Sequence, residues 1–186
     1  MKSLFLFTFF IFTSTIISSQ KINQEISIEN QQPFLVGEIN IEGLSSNSYK
    51  EWFQPNSASY SVSTTNLEQI KDKIAEHQIL IFMGTWCGDS KREVPRFIKI
   101  LESVDYPMEN LKIVAVDKRR DFYKKSPQGE EWGLNIRRVP TFIFYKNGRE
   151  INRIIETPVT TLEEDIVSIV LQQEYTTNYS KSLHYD

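Results

Sequence analysis

"FMGTWCGDSKREVP", residues 82–95, straddles the end of one apolar run, "ILIFM" (79–83), and the start of a segment in which Val94, Phe97, Ile98 and Leu101 share one helical face. A buried strand that turns into a helix at a cysteine is the reading that decides the fold. Cys87 is the one cysteine among 186 residues. A thiol in the first turn of a helix faces unpaired backbone N–H groups and the positive end of the helix dipole, and both favour thiolate. Cys87 therefore has a route to activation. Trp86 would shield one side of the sulfur, and Gly88 would let a substrate backbone approach closely.

Working outward, Asn66 is a good N-cap for a helix over "LEQIKDKIAEH" (67–77), with Leu67, Ile70 and Ile74 at helical spacing and His77 at the end of a surface helix. "LKIVAVD" (111–117) reads as a second buried strand. The charged stretch "KRRDFYKKSPQGEEWGL" (118–134) reads as a helix between exposed turns with a solvated face. "TFIFYKNGREINRII" (141–155) places two strand-like runs around Asn147-Gly148 and predicts a β-hairpin. A last helix starts at Thr161, which has capping-box spacing to Glu164, and buries Leu162, Ile166, Ile169 and Val170. The order of elements specifies an α/β fold with a central mixed sheet and helices on its faces.

The N-terminal part has a different character. Lys2, the apolar run Leu4 to Ile17, and the small residues Ser18 and Ser19 predict a cleaved signal peptide over residues 1–19. The run is shorter than the roughly 20 apolar residues that span a bilayer, so no stable membrane anchor is expected after cleavage. Export to the periplasm or medium follows as the expected location. Residues 20–61 read as an extension packing on the domain, with a short strand in "PFLVGEINIEGL" (33–44) and Trp52, Phe53 and Tyr60 packed against the domain. Residues 62–186 form the domain itself.

Around this frame the residues resemble the thioredoxin family. "WCGDSK" (86–91) is similar to that family's tryptophan-cysteine-glycine-proline-cysteine-lysine motif, in the same place between strand and helix. Pro95 stands where the family has a helix-kinking proline, and "RRVPTFIFYKNGRE" (137–150) is similar to its cis-proline loop and last hairpin. The resemblance spans about residues 62–175 and implies a thioredoxin-like fold and thiol–disulfide exchange. Cys87 would be the nucleophile, Trp86, Gly88 and Asp89 would flank the bound substrate, and a cis Pro140 would make Val139 offer its backbone to a client peptide. Client protein thiols or disulfides and an external thiol reductant are the implied partners. No cofactor is required.

Three departures qualify the resemblance. Ser90 stands where the family has its second cysteine, so a mixed disulfide on Cys87 has no internal thiol to resolve it. Asp89 replaces the proline and puts a negative charge beside the sulfur, opposing thiolate. Ile81 replaces a buried aspartate that serves the missing thiol. In one reading Cys87 works as a monothiol, Ser90 hydrogen-bonds its thiolate, and Lys91, Arg137 and Arg138 support the thiolate or an anionic small thiol. In the alternative the surface around Trp86 and Pro140 binds partners without turnover, as a redox-inactive or chaperone-like module. A disulfide-linked homodimer through Cys87 stays open.

Composition closes off other classes. The formal charge is −3, or −4 without residues 1–19, which argues against nucleic-acid binding. One Cys and two scattered His make no metal-ligand spacing, and neither His77 nor His184 is placed to serve Cys87 as the base of a cysteine hydrolase. A peroxiredoxin-like peroxidase wants threonine three residues before the cysteine, where this chain has Gly84. Glycine-rich phosphate loops are absent from the sequence.

Overall fold

Six strands form one sheet in the computed structural model, which describes residues 21–180. The expected signal peptide lies outside the described residues. The strands are β1 (Gln24–Ile26), β2 (Phe34–Ile39), β3 (Gln78–Met83), β4 (Leu111–Ala115), β5 (Thr141–Lys146) and β6 (Arg149–Ile155), in the order β1-β2-β4-β3-β5-β6. Only β3 and β4 run parallel; the other neighbours are antiparallel, so the sheet is mixed as expected. The helices are α1 (Ile41–Leu44), α2 (Asn47–Ala58), α3 (Thr64–Leu67), α4 (Lys71–Ile74), α5 (Gly88–Ser103) and α6 (Leu162–Val170).

Alternation along the central strands sorts the core into two layers. Ile79, Ile81, Met83, Ile113, Ala115, Phe142 and Phe144 join the larger cluster, with Phe97 and Leu101 of α5 and Ile166 and Ile169 of α6. Ile81, at the position of the family's aspartate, is fully buried there. Phe82, Val114, Val116 and Ile143 face the other way and meet Val139, Leu134 and Ile136. This second layer is covered by the irregular segment between β4 and β5. The helix expected over 118–134 is replaced by one 3-10 turn, Arg120–Phe122, and a run of turns. Local hydrogen bonds take the backbone elsewhere: Asp117 accepts from Arg119 N–H at 2.7 Å, and Glu131 accepts from Ser126 N–H at 3.0 Å.

Residues 24–58 supply both β1 and β2, and β2 pairs directly with β4. α2 packs along α5 and is tied to it by Lys99, whose Nζ donates to Ser57 O at 2.8 Å and Tyr60 O at 2.7 Å. Phe53 is buried in the core, with Trp52 and Tyr60 packed against it.

The helix expected from Asn66 is instead two short turns, α3 beginning after Ser63 and α4 after Ile70, neither with a side-chain cap. Leu67, Ile70 and Ile74 all reach the core across this break, so the apolar spacing is met without a continuous helix. His77 is fully buried rather than on a surface. Its Nδ1–H donates to Lys73 O at 2.9 Å, and its Nε2 is buried with no partner. Burial holds its pKa below the ordinary histidine value, against the smaller opposing pull of the Lys73 carbonyl, while Lys146 lowers it further and Glu76 raises it.

In the unfolded chain the imidazole titrates near 6.5, so above that pH it is neutral in both states and costs nothing. Below it the unfolded state binds the proton first. Stability is expected to fall as pH drops below about 6.5, with a slope of at most about 1.4 kcal/mol per pH unit from this group. Urea midpoints measured across that window should lose this slope in His77→Gln; an unchanged slope would show that His77 does not cause it.

At the C-terminal end the hairpin and cap follow the sequence. Asn147 and Gly148 both have positive φ, 52° and 73°, in the two-residue turn joining β5 to β6. Thr161 caps α6 by accepting from Glu164 N–H at 3.2 Å. Among the described residues no helix is long and apolar enough to cross a membrane.

Candidate active site around Cys87

β3 ends at Met83, and four residues later Cys87 is the N-cap of α5, with extended φ and ψ of −89° and 130°. The turn between them is tight. Cys87 N–H donates to Gly84 O at 2.8 Å, and Cys87 O accepts from Lys91 N–H at 3.0 Å. A Cβ on Gly84 would stand 2.7 Å from the Trp86 ring, so glycine is what allows the indole to fold back over the turn. Trp86 is fixed at both ends: its Nε1–H donates to Val116 O at 2.9 Å and its ring lies 5.6 Å from that of Tyr123.

The sulfur is half-buried and free of disulfides. Its S–H donates to Val139 O at 3.2 Å. The Val139-Pro140 peptide bond is cis, and β5 begins at the next residue. Two segments more than fifty residues apart are thus held together: α5 delivers the thiol, and the loop into β5 delivers a backbone carbonyl. Gly88 is exposed, with nothing within 4 Å of where a Cβ would be, so the space beside the sulfur is open.

Ser90 is fully buried, and its Oγ accepts from Gly84 N–H at 3.1 Å. Its hydroxyl thus braces the turn between β3 and α5. Asp89 does not act on the sulfur alone. Arg92, one turn further along α5, donates from Nη2 to Asp89 at 2.7 Å and from Nε to Glu93 at 2.5 Å, which offsets the carboxylate. The i, i+3 spacing of Asp89 and Arg92 was a signal in the sequence for this pairing.

The cations singled out from sequence go to different places. Arg138 pairs with Glu156 at 3.0 Å and lies 3.9 Å over the Tyr179 ring. Arg137 donates from Nε to Asn135 at 2.8 Å. Lys91 points across Trp52, 5.9 Å from its ring centroid. Lys124, which sequence reasoning missed within a charged run, is a cation whose charged form the Cys87 sulfur favours. Its ammonium donates to Arg137 O. Burial lowers its pKa most, Arg138 lowers it further, and the Cys87 sulfur raises it. Lys124 sits in a left-handed conformation, φ 58°, and nothing in the local sequence announces it.

The arrangement sets a half-buried sulfur nucleophile against the Val139 carbonyl, with open space beside it at Gly88. Among the described residues no group of three or more His, Cys, Asp or Glu is placed to hold a metal ion.

Comparison with known proteins places this geometry. A family model described as Thioredoxin matches residues 43–169. Among curated proteins, Thioredoxin H9 of Arabidopsis thaliana is 31% identical over 112 residues, covering 57% of this chain and 73% of that protein. Mitochondrial Thioredoxin-3 of Saccharomyces cerevisiae is 30% identical over 104 residues, covering 55% and 74%. Among solved structures, thioredoxin O2 of Arabidopsis thaliana in its oxidised state aligns with a TM-score of 0.36 at 21% identity, over 59% of this chain and 88% of the other.

Proposed function

This chain belongs to the thioredoxin family, and we propose that within it the chain performs thiol–disulfide exchange through a single nucleophile, Cys87. The observation that carries this reading is the Cys87 sulfur 3.2 Å from Val139 O, directly ahead of the cis bond to Pro140. An extended client segment that pairs with the Val139 backbone brings its own disulfide to the sulfur.

The Cys87 thiolate attacks one client sulfur. The client S–S bond breaks, the departing sulfur leaves as thiolate, and a Cys87–client mixed disulfide forms. With Ser90 in place of a second cysteine, a second thiolate from outside must attack that disulfide and release Cys87. A second client thiol gives reshuffling, with no net change in oxidation state. Two equivalents of a small external thiol give net reduction of the client: the first takes the client sulfur into a mixed disulfide and frees Cys87, the second displaces the client thiolate, and the two leave joined as their own disulfide. The same sulfur is open to a homodimeric disulfide under oxidising conditions, which is reversed by the same attack. Export after removal of residues 1–19 is part of the proposal, supported by the apolar run behind Lys2.

The test is turnover of a disulfide-bonded peptide in excess glutathione, followed by rate and by intact mass. The native chain should exceed the uncatalysed rate and show a peptide adduct, and Cys87→Ala should show neither. A native chain that never exceeds background, or a Cys87→Ala chain that retains the rate, would overturn the mechanism; in the first case a partner-binding role without turnover remains.

A further inference from the structure

Next to the active-site turn lies a cavity of about 470 Å³ that does not include Cys87, Val139 or Pro140. One wall is Trp86 and Lys91 from the active-site turn and α5. Trp52 and Glu51 of α2 also line it, together with Gln32, ahead of β2, and Lys118, just after β4. Its volume falls in the range of small-molecule sites, about 300–1,000 Å³.

Two lysines from different parts of the chain line this cavity, and neither ammonium is within ion-pair distance of a carboxylate among the described residues. Lys91 Nζ lies over the Trp52 ring. Lys118 Nζ donates to Gln32 O at 3.2 Å and lies 4.9 Å over the Phe34 ring, which leaves two of its three donors unused. Glu51 also lines the cavity, so two positive charges face one negative. The indoles of Trp52 and Trp86 add apolar wall. Of this lining, Gln32 and Pro33 precede residue 43, where the family match begins.

We infer that this cavity binds a small organic anion, a carboxylate or phosphate on an apolar body, with the charged group between Lys91 and Lys118 and the body against Trp52 and Trp86. The site is separate from the thiol and shares one wall with it. The inference does not depend on turnover by Cys87, and Cys87→Ser is expected to bind as the native chain does.

The experiment is titration of the folded protein, native and Cys87→Ser, with 1-naphthoate, 1-naphthyl phosphate and the neutral 1-naphthamide, followed by the indole N–H resonances of its three tryptophans. Trp52 and Trp86 should shift and Trp132, which is outside the cavity, should not. One of the two anions should bind at least tenfold more tightly than the amide, and the better anion identifies the charged group the site takes. Lys91→Gln with Lys118→Gln should weaken that anion at least tenfold while the indole spectrum stays dispersed; if the double variant unfolds, each single variant supplies the comparison. Equal binding of the amide, no shift at millimolar anion, or binding unchanged by the lysine substitutions would overturn the inference. A loss confined to Cys87→Ser would reassign the ligand to the thiol site and overturn it as well.

Discussion

Ser90→Cys is expected to turn the single-sulfur site into a dithiol one. Residue 90 lies one helical turn beyond Cys87 on α5, so the new sulfur reaches the mixed disulfide from within the same chain. An intramolecular thiol acts at an effective concentration far above that of any external reductant, so the lifetime of the client adduct should fall by at least about a hundredfold. The oxidised variant should titrate no free thiol, where the native chain titrates one. The cost is local: Gly84 N–H loses the Ser90 oxygen it donates to, and sulfur accepts less well, for a loss of about 1 kcal/mol. Thiol counting and intact mass after exposure to a disulfide peptide decide the matter. A variant that keeps a long-lived adduct would show that the two positions do not face each other in the working protein.

Phe97→Ala is expected to have the largest effect on stability. The ring is fully buried, stacked on Phe142 at 4.4 Å and edge-on to Phe144 at 6.0 Å. Removing a buried phenyl ring costs about 3–5 kcal/mol, against a total stability for a domain of this size of about 5–15 kcal/mol. Phe97 lies on α5 and Phe142 on β5, so the stack joins the helix that carries Cys87 to the strand that follows Pro140. Urea unfolding measures the loss, and any folded remainder should exchange more slowly with a peptide disulfide because Val139 is no longer held against the sulfur. A loss under about 1 kcal/mol would mean that the core recloses around the gap. Phe97→Leu, which keeps most of the volume, should cost much less.

The parts of this fold that could be read in advance are those written in local code. Asn147-Gly148 forms the tight turn because both positions demand positive φ, and Thr161 caps α6 through a contact three residues away. Cys87 could be placed because a strand running into a helix start identifies its setting, whereas the settings of Ser90 and of the cis Pro140 came from the resemblance to the thioredoxin family. What escaped was set by distant contacts. α2 contains Asn, Ser and Pro55 and buries just Tyr49 and Phe53 from one face, a pattern too thin to mark a helix without α5 beside it. Lys124 escaped because it lies, with a left-handed backbone, inside a loop whose own side chains bond its backbone. His77 is buried because the chain folds back over the end of α4, where Tyr106 donates to its carbonyl at 2.9 Å.

The pairing of β2 with β4 also imposes an order of events on synthesis. Gly37 lies opposite Ala115, so the partner of β2 leaves the ribosome roughly 75 residues later, an interval of about 4–15 s at ordinary elongation rates. Throughout that time Phe34, Leu35 and Val36 have just the three-residue β1 beside them, and the edge that β4 will take stands open. A nascent chain stalled between β2 and β4 would therefore be sticky, and its escape from aggregation would depend on a holding chaperone rather than on anything in the finished fold.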